Sequence, residues 1–401
     1  MAKRSTWRAF VRLQLLRLVG LLTRRLVPSR PLPRSPRRVL VIRPDHIGDG
    51  LFTTPALRAL REAFPEAEIT CLVGPWAAMV YKRNPNVDRV SELPFPGFGP
   101  VRKRHLLEPY VLLWQTARYL RTEGYDLALN LRFDFWWGAL LAHVAGIPAR
   151  VGFGVPECAP FLSEKVAYAT GRHEAVQNLA LVEVLAAGSA QSGDWLAWAT
   201  RSARLAFPVT QVEIAAVSSL CEGFGLGLRP LVAIHPGTRG LAKLWTPDGW
   251  AVVGDALAER LGAQVVVTGS AVERDLCAEV AGRMRAPAFD LAGRTTLGEL
   301  VVLFGHCQLV LGVDSGPLHL AVAAGVPTVH LYGPSDHLAF APFGDPALHA
   351  VVRSGRECSP CQVLDLPAEA MGEHPCLREI EPAKVLAAAA AVLAAAGVAS
   401  A

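Results

Sequence analysis

The sequence has no apolar run of the roughly 18 residues that a spanning helix needs, which excludes an integral channel or transporter. It has no Gly-x-Gly-x-x-Gly fingerprint and no Gly-x-x-x-x-Gly-Lys-Ser/Thr loop, so nicotinamide-dinucleotide and P-loop chemistry are disfavoured. Charged residues are few, 19% against 51% hydrophobic, and a chain of that composition folds into globular domains. At about 100–200 residues per domain, its 401 residues suffice for two. Acid is missing altogether from residues 1–38, which hold eleven Lys and Arg. The formal net charge of +5 therefore belongs to this leader, because the remainder carries 29 basic and 35 acidic residues. A body of that sign lacks the basic surface that phosphate backbones require, so no nucleic-acid partner is expected.

Of the eight cysteines, Cys71, Cys158, Cys221, Cys277 and Cys307 stand singly in apolar stretches, the pattern of reduced residues in an intracellular protein. Cys358, Cys361 and Cys376 cluster near the C-terminus. A Cys-x₂-Cys pair with His374 as fourth ligand has the chemistry of a zinc site, but its spacing is irregular. A reduced structural loop is the expectation.

In the leader, Arg4, Arg8 and Arg12 recur every four residues, with Trp7, Phe10, Leu18 and Leu21 roughly opposite. This is a cationic amphipathic helix, imperfect because Arg17 intrudes, and it ends in a Pro-rich tether from Pro28 to Pro36. Arg12, Arg17 and Arg24 interrupt any signal-peptide core. The expectation is a helix lying on an anionic membrane surface, placing the protein peripherally on the inner face of the cytoplasmic membrane. The alternative is a helix whose apolar face packs on the protein's own body.

Beyond Arg38, short β-branched runs alternate with helical periods, which implies βαβ units and parallel sheets. Strands are expected at Val39–Ile42, Ile69–Val73 and Leu127–Leu131, then at Leu231–Ile234, Gln264–Thr268, Leu309–Leu311 and Thr328–Leu331. The division read from this pattern is a leader at 1–38, a first α/β domain at 39–207, a linker region at 208–230, a second at 231–380, and an Ala-rich helix at 381–401 that closes over one of them.

Two loci carry chemistry. Arg43-Pro-Asp-His-Ile-Gly-Asp-Gly50 follows the first strand, where open α/β sheets bind ligands. Gly48 and Gly50 flank Asp49 and leave it uncovered, at or just before the N-terminus of a helix with Pro55 in its first turn. The competing reading is that Asp49 or Thr53 only caps that helix. The second locus gathers three polar turns after three strands: His235 to Trp245, Gly269 to Arg274, and Gly312 to His319. Ser315 and Gly316 offer backbone N–H groups at a helix start suited to phosphate, and Lys243 adds a mobile point charge for a pyrophosphate. Ordinary turn chemistry with an Asp314 cap is the alternative.

At these residues the sequence resembles glycosyltransferase family 9, the heptosyltransferase family. The likeness rests on Ile47-Gly-Asp-Gly-Leu-Phe-Thr-Thr-Pro-Ala-Leu-Arg58, on His235-Pro-Gly with Lys243 and Trp245, and on Asp314-Ser-Gly-Pro-Leu-His319 followed by Leu331-Tyr-Gly-Pro334. The resemblance implies a GT-B fold, two Rossmann-like α/β domains facing across a cleft, acceptor on the first and nucleotide sugar on the second. It implies an inverting transfer from an ADP-heptose-type donor to a lipid-linked saccharide such as lipopolysaccharide core, with no metal or other cofactor. It makes Asp49 the catalytic base, and Thr238 and Lys243 donor phosphate contacts. Asp314, Ser315, Gly316 and His319 become the loop and helix start that hold the nucleotide diphosphate sugar, and Glu273 a ribose or base contact. The chemistry agrees: inversion needs one carboxylate opposite the leaving group, and without a metal the departing diphosphate needs N–H groups and a cation. A nucleotide-sugar epimerase of the same architecture and a non-catalytic nucleotide-sugar-binding protein are the alternatives. The first needs acid and base on both faces of one carbon, and the second is expected to lose Asp49.

Overall fold

The computed structural model describes residues 2–24, 27, 29–99, 107–186, 204–364 and 375–398. It divides into two compact units, Met1–Ala203 and Arg204–Ala401.

The first unit opens with helix α1 (Ala2–Thr23) and is built on strands β1 (Arg38–Arg43), β2 (Glu68–Val73), β3 (Arg89–Glu92), β4 (Leu127–Asn130), β5 (Ala149–Phe153) and β6 (Glu164–Val166). All neighbours run parallel in the order β3-β2-β1-β4-β5-β6. Val39 pairs with Ile69 on one side and Leu127 on the other, which makes β1 central and explains its continuous Val-Leu-Val-Ile run. Helices α2 (Ile47–Leu51), α3 (Thr54–Ala63), α4 (Ala78–Lys82), α5 (Glu108–Glu123), α6 (Trp136–Val144) and α7 (Glu174–Ala186) cover the sheet. α3 packs on α7, and α5 packs on α6. The chain winds outward from β1 to β3, then returns to β4 and winds the other way. This leaves a topological switch point between β1 and β4, where the loop after β1 emerges.

α1 does pack on the body, but through a face other than the expected one. Leu16 is buried in the core that contains Leu113, Leu120 and Phe161. A Cβ on Gly20 would come within 2.6 Å of the Pro160 Cβ, so glycine is required for that approach. Thr23 Oγ1 meets His143 Nε2 at 2.8 Å. Trp7, Phe10, Leu18 and Leu21, the expected apolar face, point outward and are exposed. The expected tether is corrected in part as well. Pro28 lies outside the described residues, but Ser29 Oγ accepts from Arg150 Nη2 at 2.8 Å and the Arg30 N–H donates to Pro148 O at 3.0 Å, which ties that segment to the unit.

The second unit repeats the plan with β7 (Leu231–His235), β8 (Gln264–Val267), β9 (Ala288–Asp290), β10 (Leu309–Val313), β11 (Thr328–Tyr332) and β12 (His349–Arg353), parallel in the order β12-β11-β10-β7-β8-β9. Its switch point lies between β7 and β10. Helices α8 (Gln211–Phe224), α9 (Pro247–Leu261), α10 (Arg274–Arg283), α11 (Leu297–Gly305), α12 (Gly316–Ala323) and α13 (Pro382–Ala395) complete it. The segment 208–230, expected as a linker, is part of this unit. Thr210 and Glu213 form a capping box that starts α8, Gly225 ends it at φ 62°, and Val217 and Leu226 are buried in the unit's core. α13 closes over the second unit, because Val385, Ala389, Val392 and Leu393 bury against a core that includes Val329 and Val352.

Candidate functional site

In the first unit, the loop after β1 is organised by Arg43, whose side chain is 2% exposed. Its Nε meets Asp45 Oδ2 at 2.6 Å, its Nη2 meets Glu174 Oε2 at 3.3 Å, and its Nη1 donates to Leu131 O at 2.9 Å. Asn178 Oδ1 accepts from Nη1 at 3.3 Å. Asp49 Oδ1 stands at 3.5 Å from Nη2, the longest of these contacts, and its side chain keeps 29% exposure. Asp45 is shared with a second cation, Arg132. Two guanidinium groups thus face three carboxylates, and Asp49 is the one left poorly paired. Its pKa is pushed up to about 7, first by enclosure in protein and then by the Asp45 carboxylate, with Arg43 pulling the other way. Such a carboxyl is suited to take a proton near neutral pH.

The capping alternative does not describe this loop. Asp49 lies just before the helix that carries Pro55 in its first turn, as expected, but within a one-turn helix of its own, α2. The Thr53 hydroxyl donates back to Gly50 O at 2.7 Å and makes no cap bond to α3. Neither Gly48 nor Gly50 has a positive φ. A Cβ at Gly50 would touch the Tyr81 ring at 3.4 Å, so Gly50 serves close packing beneath the loop.

Glu174, Asn178 and Tyr168 escape the sequence reading. Tyr168 donates its hydroxyl to Glu174 Oε1 at 3.1 Å, and Asn178 Nδ2 donates to Phe52 O at 3.1 Å, which fixes α7 under α2. The available signal is the polar set Glu174, Gln177 and Asn178, spaced along one face of an otherwise apolar helix and all buried. Glu174→Gln removes a carboxylate that both competes for Arg43 and repels the Asp49 charge. The expected result is a shift of the acidic limb of the pH–rate profile to lower pH, with thermal stability near that of the parent. An unmoved limb would mean that Glu174 does not tune Asp49.

In the second unit, the turns after β7, β8 and β10 come together. Gly312 permits it: a Cβ there would lie 2.6 Å from His235 O and 2.4 Å from Leu318 Cδ2. His235 is buried, bonds Thr268 Oγ1 at 3.0 Å, and is driven down to about 4 by burial, so it is a neutral clasp between strand ends. Asp314 is the hub. Lys243 Nζ donates to its Oδ2 at 2.9 Å and to its carbonyl at 2.8 Å, the Thr238 hydroxyl donates to the same carbonyl at 3.2 Å, and His319 Nε2 lies 3.8 Å from Oδ1. Burial would raise the Asp314 carboxyl, but Lys243, His319 and Ser335 outweigh it and hold it well below the usual carboxylate range. Lys243 is accordingly held in place rather than mobile. Asp314 orients it and does not cap α12, whose N-cap is Ser315.

Ser315 Oγ is buried and has no hydrogen-bond partner among the described residues, beside Gly316 at the first turn of α12. An orphaned hydroxyl at a helix start, next to a held ammonium, is an arrangement for an anionic oxygen. Glu273 lies beside this group: its Oε2 accepts from the Ser270 N–H and hydroxyl, both at 2.7 Å, and a Cβ on Gly237 would overlap its carboxylate. All the sequence-selected residues of this unit are therefore neighbours around the carboxyl ends of β7, β8 and β10.

Among the described residues no group of three or more His, Cys, Asp or Glu side chains is placed to hold a metal ion. Cys358 is exposed and Cys376 buried, and His374 lies outside the described residues. All eight cysteines are free.

A family model described as glycosyltransferase family 9 (heptosyltransferase) matches residues 113–370. Lipopolysaccharide heptosyltransferase 3 of Escherichia coli strain K12 is 30% identical over 306 residues, 74% of this chain and 82% of that one. The solved structure of the E. coli ADP-heptose lipopolysaccharide heptosyltransferase II aligns with a TM-score of 0.65 at 25% identity, over 90% of this chain and 99% of that one. A family 9 glycosyltransferase of Veillonella parvula aligns with a TM-score of 0.71 at 24% identity, over 90% and 98%. The two doubly wound parallel units are the Rossmann-like pair of the GT-B fold. With more than half of its length matched by the family model, the chain is a glycosyltransferase and belongs to glycosyltransferase family 9.

Proposed function

We propose that the protein transfers a heptose, with inversion and without a metal, from an ADP-heptose-type donor to a lipid-linked saccharide of the lipopolysaccharide core kind. The observation that carries this reading is Asp49, a carboxyl with access to solvent, weakly paired and raised to about 7. In the reaction it takes the proton of the acceptor hydroxyl as that oxygen attacks the anomeric carbon and the bond to the diphosphate breaks. Lys243, Thr238, Ser315 and the Gly316 N–H receive the charge that develops on the leaving group, and Asp314 and His319 position Lys243. Glu273 serves the nucleoside end. The donor and acceptor classes are supported by the E. coli relatives, whose names specify ADP-heptose and lipopolysaccharide.

Residues 1–38 are proposed to hold the enzyme peripherally at the inner face of the cytoplasmic membrane, where a lipid-linked acceptor lies. Among the described residues no helix is long and apolar enough to cross a membrane.

The test is incubation with a panel of nucleotide-activated sugars and a heptose-acceptor saccharide, reading nucleotide release and product mass. ADP-heptose is expected to be consumed only when acceptor is present, and EDTA is expected to leave the rate unchanged. Consumption without acceptor would indicate an epimerase or hydrolase. Activity lost to EDTA and restored by Mg²⁺ would overturn the metal-free mechanism.

A further inference from the structure

We infer that α5 carries a second lipid-facing surface, so that α1 and α5 together dock the first unit on an anionic membrane. This rests on the anchoring reading of residues 1–38 and extends it to a helix in the body of the fold. Among the described residues, every exposed large apolar side chain of the first unit except Met79 lies on α1, on α5 or at the α5 N-cap, Leu107. That concentration is unlike the scattered single exposures of an ordinary surface.

α5 has two apolar stripes. Leu113, Ala117 and Leu120 are buried against the core, as a surface helix requires. Leu107, Tyr110, Val111 and Trp114 recur at positions i, i+3, i+4 and i+7 on a separate stripe and face solvent, with Trp114 54% exposed. The stripe continues to Arg118, whose guanidinium lies 4.7 Å from the centre of the Trp114 ring. Tyr, Trp and Arg at the edge of an apolar stripe are the residues that settle at a headgroup boundary, apolar body inward and polar tip outward.

The two helices belong to one layer. α5 packs on α6, and α1 packs on the one-turn helix Ala159–Phe161, which itself packs on α6. α6 is apolar around its circumference and almost wholly buried, because the sheet lies on one side of it and these neighbours on the other. Leu16 of α1 and Leu113 of α5 enter the same core, and the exposed stripes of both helices lie off that core.

Charge selects the occupant. Arg17 on α1, Arg24 directly after it and Arg118 on α5 are exposed. Of the nearby acids, Glu157 is engaged with Arg12 at 3.7 Å and Glu123 with Arg89 at 2.6 Å, and Glu108 is exposed in the first turn of α5. An apolar face bordered by arginine and continuous with a leader of eleven bases and no acid complements anionic lipid.

The experiment uses the full chain, because deleting α1 would uncover Leu16's site in the core. Val111→Glu with Trp114→Glu removes the α5 stripe, and Leu18→Glu with Leu21→Glu removes the α1 face. Leu107→Glu with Tyr110→Glu is a second α5 pair in case the first fails to fold. Each is compared with the parent by co-sedimentation with phosphatidylethanolamine–phosphatidylglycerol vesicles and with phosphatidylcholine vesicles, beside thermal melts and sedimentation equilibrium. Each pair is expected to lower partitioning onto the anionic vesicles about tenfold or more, as loss of one or two buried large side chains does, with melting temperature unchanged. Parental binding should also fall with salt. If the α1 pair loses binding and both α5 pairs bind like the parent, α5 is no lipid surface and only the leader anchors. If every pair binds like the parent, the anchoring reading falls with it. A parental dimer that the α5 pairs convert to monomer, with vesicle binding unaltered, would make the stripe an interface between copies and overturn the inference.

Discussion

Asp49→Asn is expected to lower kcat by roughly 10²–10⁴-fold, the usual contribution of a positioned general base, while leaving donor affinity unchanged. The same variant is expected to melt at a higher temperature than the parent at pH 8. The Asp49 carboxyl is raised to about 7, above its value in an unfolded chain near 4, so between those two pH values the folded protein binds a proton that the unfolded chain does not. Stability contributed by this group is full below about pH 4 and is lost as pH rises to 7; above 7 the folded state carries a poorly paired charge. Asparagine removes that charge. Three pKa units correspond to about 4 kcal/mol at most, and the partial exposure of Asp49 reduces this to about 1–2 kcal/mol, or roughly 2–4 °C per kcal/mol for a unit of this size. Scanning calorimetry of both proteins from pH 5 to 8 measures the difference, which should shrink toward acid pH. A variant that keeps parental turnover on a confirmed acceptor would show that another group takes the proton, and a lower melting temperature at pH 8 would show that Asp49 is a favourable partner of Arg43.

Lys243→Ala is expected to weaken ADP binding about 10–100-fold, the loss of one charge-assisted contact, and to destabilise the second unit as well. Asp314 and Lys243 are only 11% and 17% exposed, and removing the ammonium leaves the carboxylate enclosed with His319 and Ser335 as its remaining partners. Breaking a pair this enclosed costs about 2–3 kcal/mol, somewhat below a fully buried one. The sign of the pH effect is opposite to that of Asp49. Asp314 is depressed in the folded state, so its contribution is present above about pH 4 and is lost as pH falls below it. In Lys243→Ala the Asp314 pKa rises, and acid sensitivity begins at higher pH. Lys243→Arg should recover stability more fully than ADP affinity, since it restores charge but not a compact ammonium. Titration calorimetry with ADP, run beside melts, separates the two roles: unchanged ADP affinity with a lowered melting temperature would leave Lys243 as the structural partner of Asp314 alone.

The central strands were legible because burial on both faces demands continuous apolar runs, as in Val39–Ile42 and Val265–Val267. β3, β6, β9 and β12 were not, because edge strands are short and half-covered and tolerate sequences such as Arg-Val-Ser-Glu and Glu-Lys-Val. β5 was missed for a different reason. Arg150 interrupts its apolar run, and only the fold reveals that Phe161 O, Pro148 O and Ser29 Oγ receive that guanidinium inside the unit. The segment 208–230 belongs to the second unit rather than to a linker because Val217 and Leu226 bury in that unit's core, a packing that no local pattern reveals.

By itself the sequence determined two parallel α/β sheets in series, the loops at their carboxyl ends, and the side chains with the right chemistry there, Asp49 in one and Thr238, Lys243, Asp314 and Ser315 in the other. These follow from local propensity and from the rule that ligand loops leave the strand ends at a switch point. The tertiary structure decided which carboxylate is left poorly paired and which face of α1 is buried. Glu174 is 131 residues from Arg43, yet it shares that guanidinium with Asp45 and Asp49, and no local pattern ranks three acids in competition for one cation. Likewise, both sides of α1 are apolar enough to bury, and the choice fell to Leu16 and Gly20 because the small glycine lets the helix approach Pro160 closely, which leaves Trp7, Phe10, Leu18 and Leu21 turned outward.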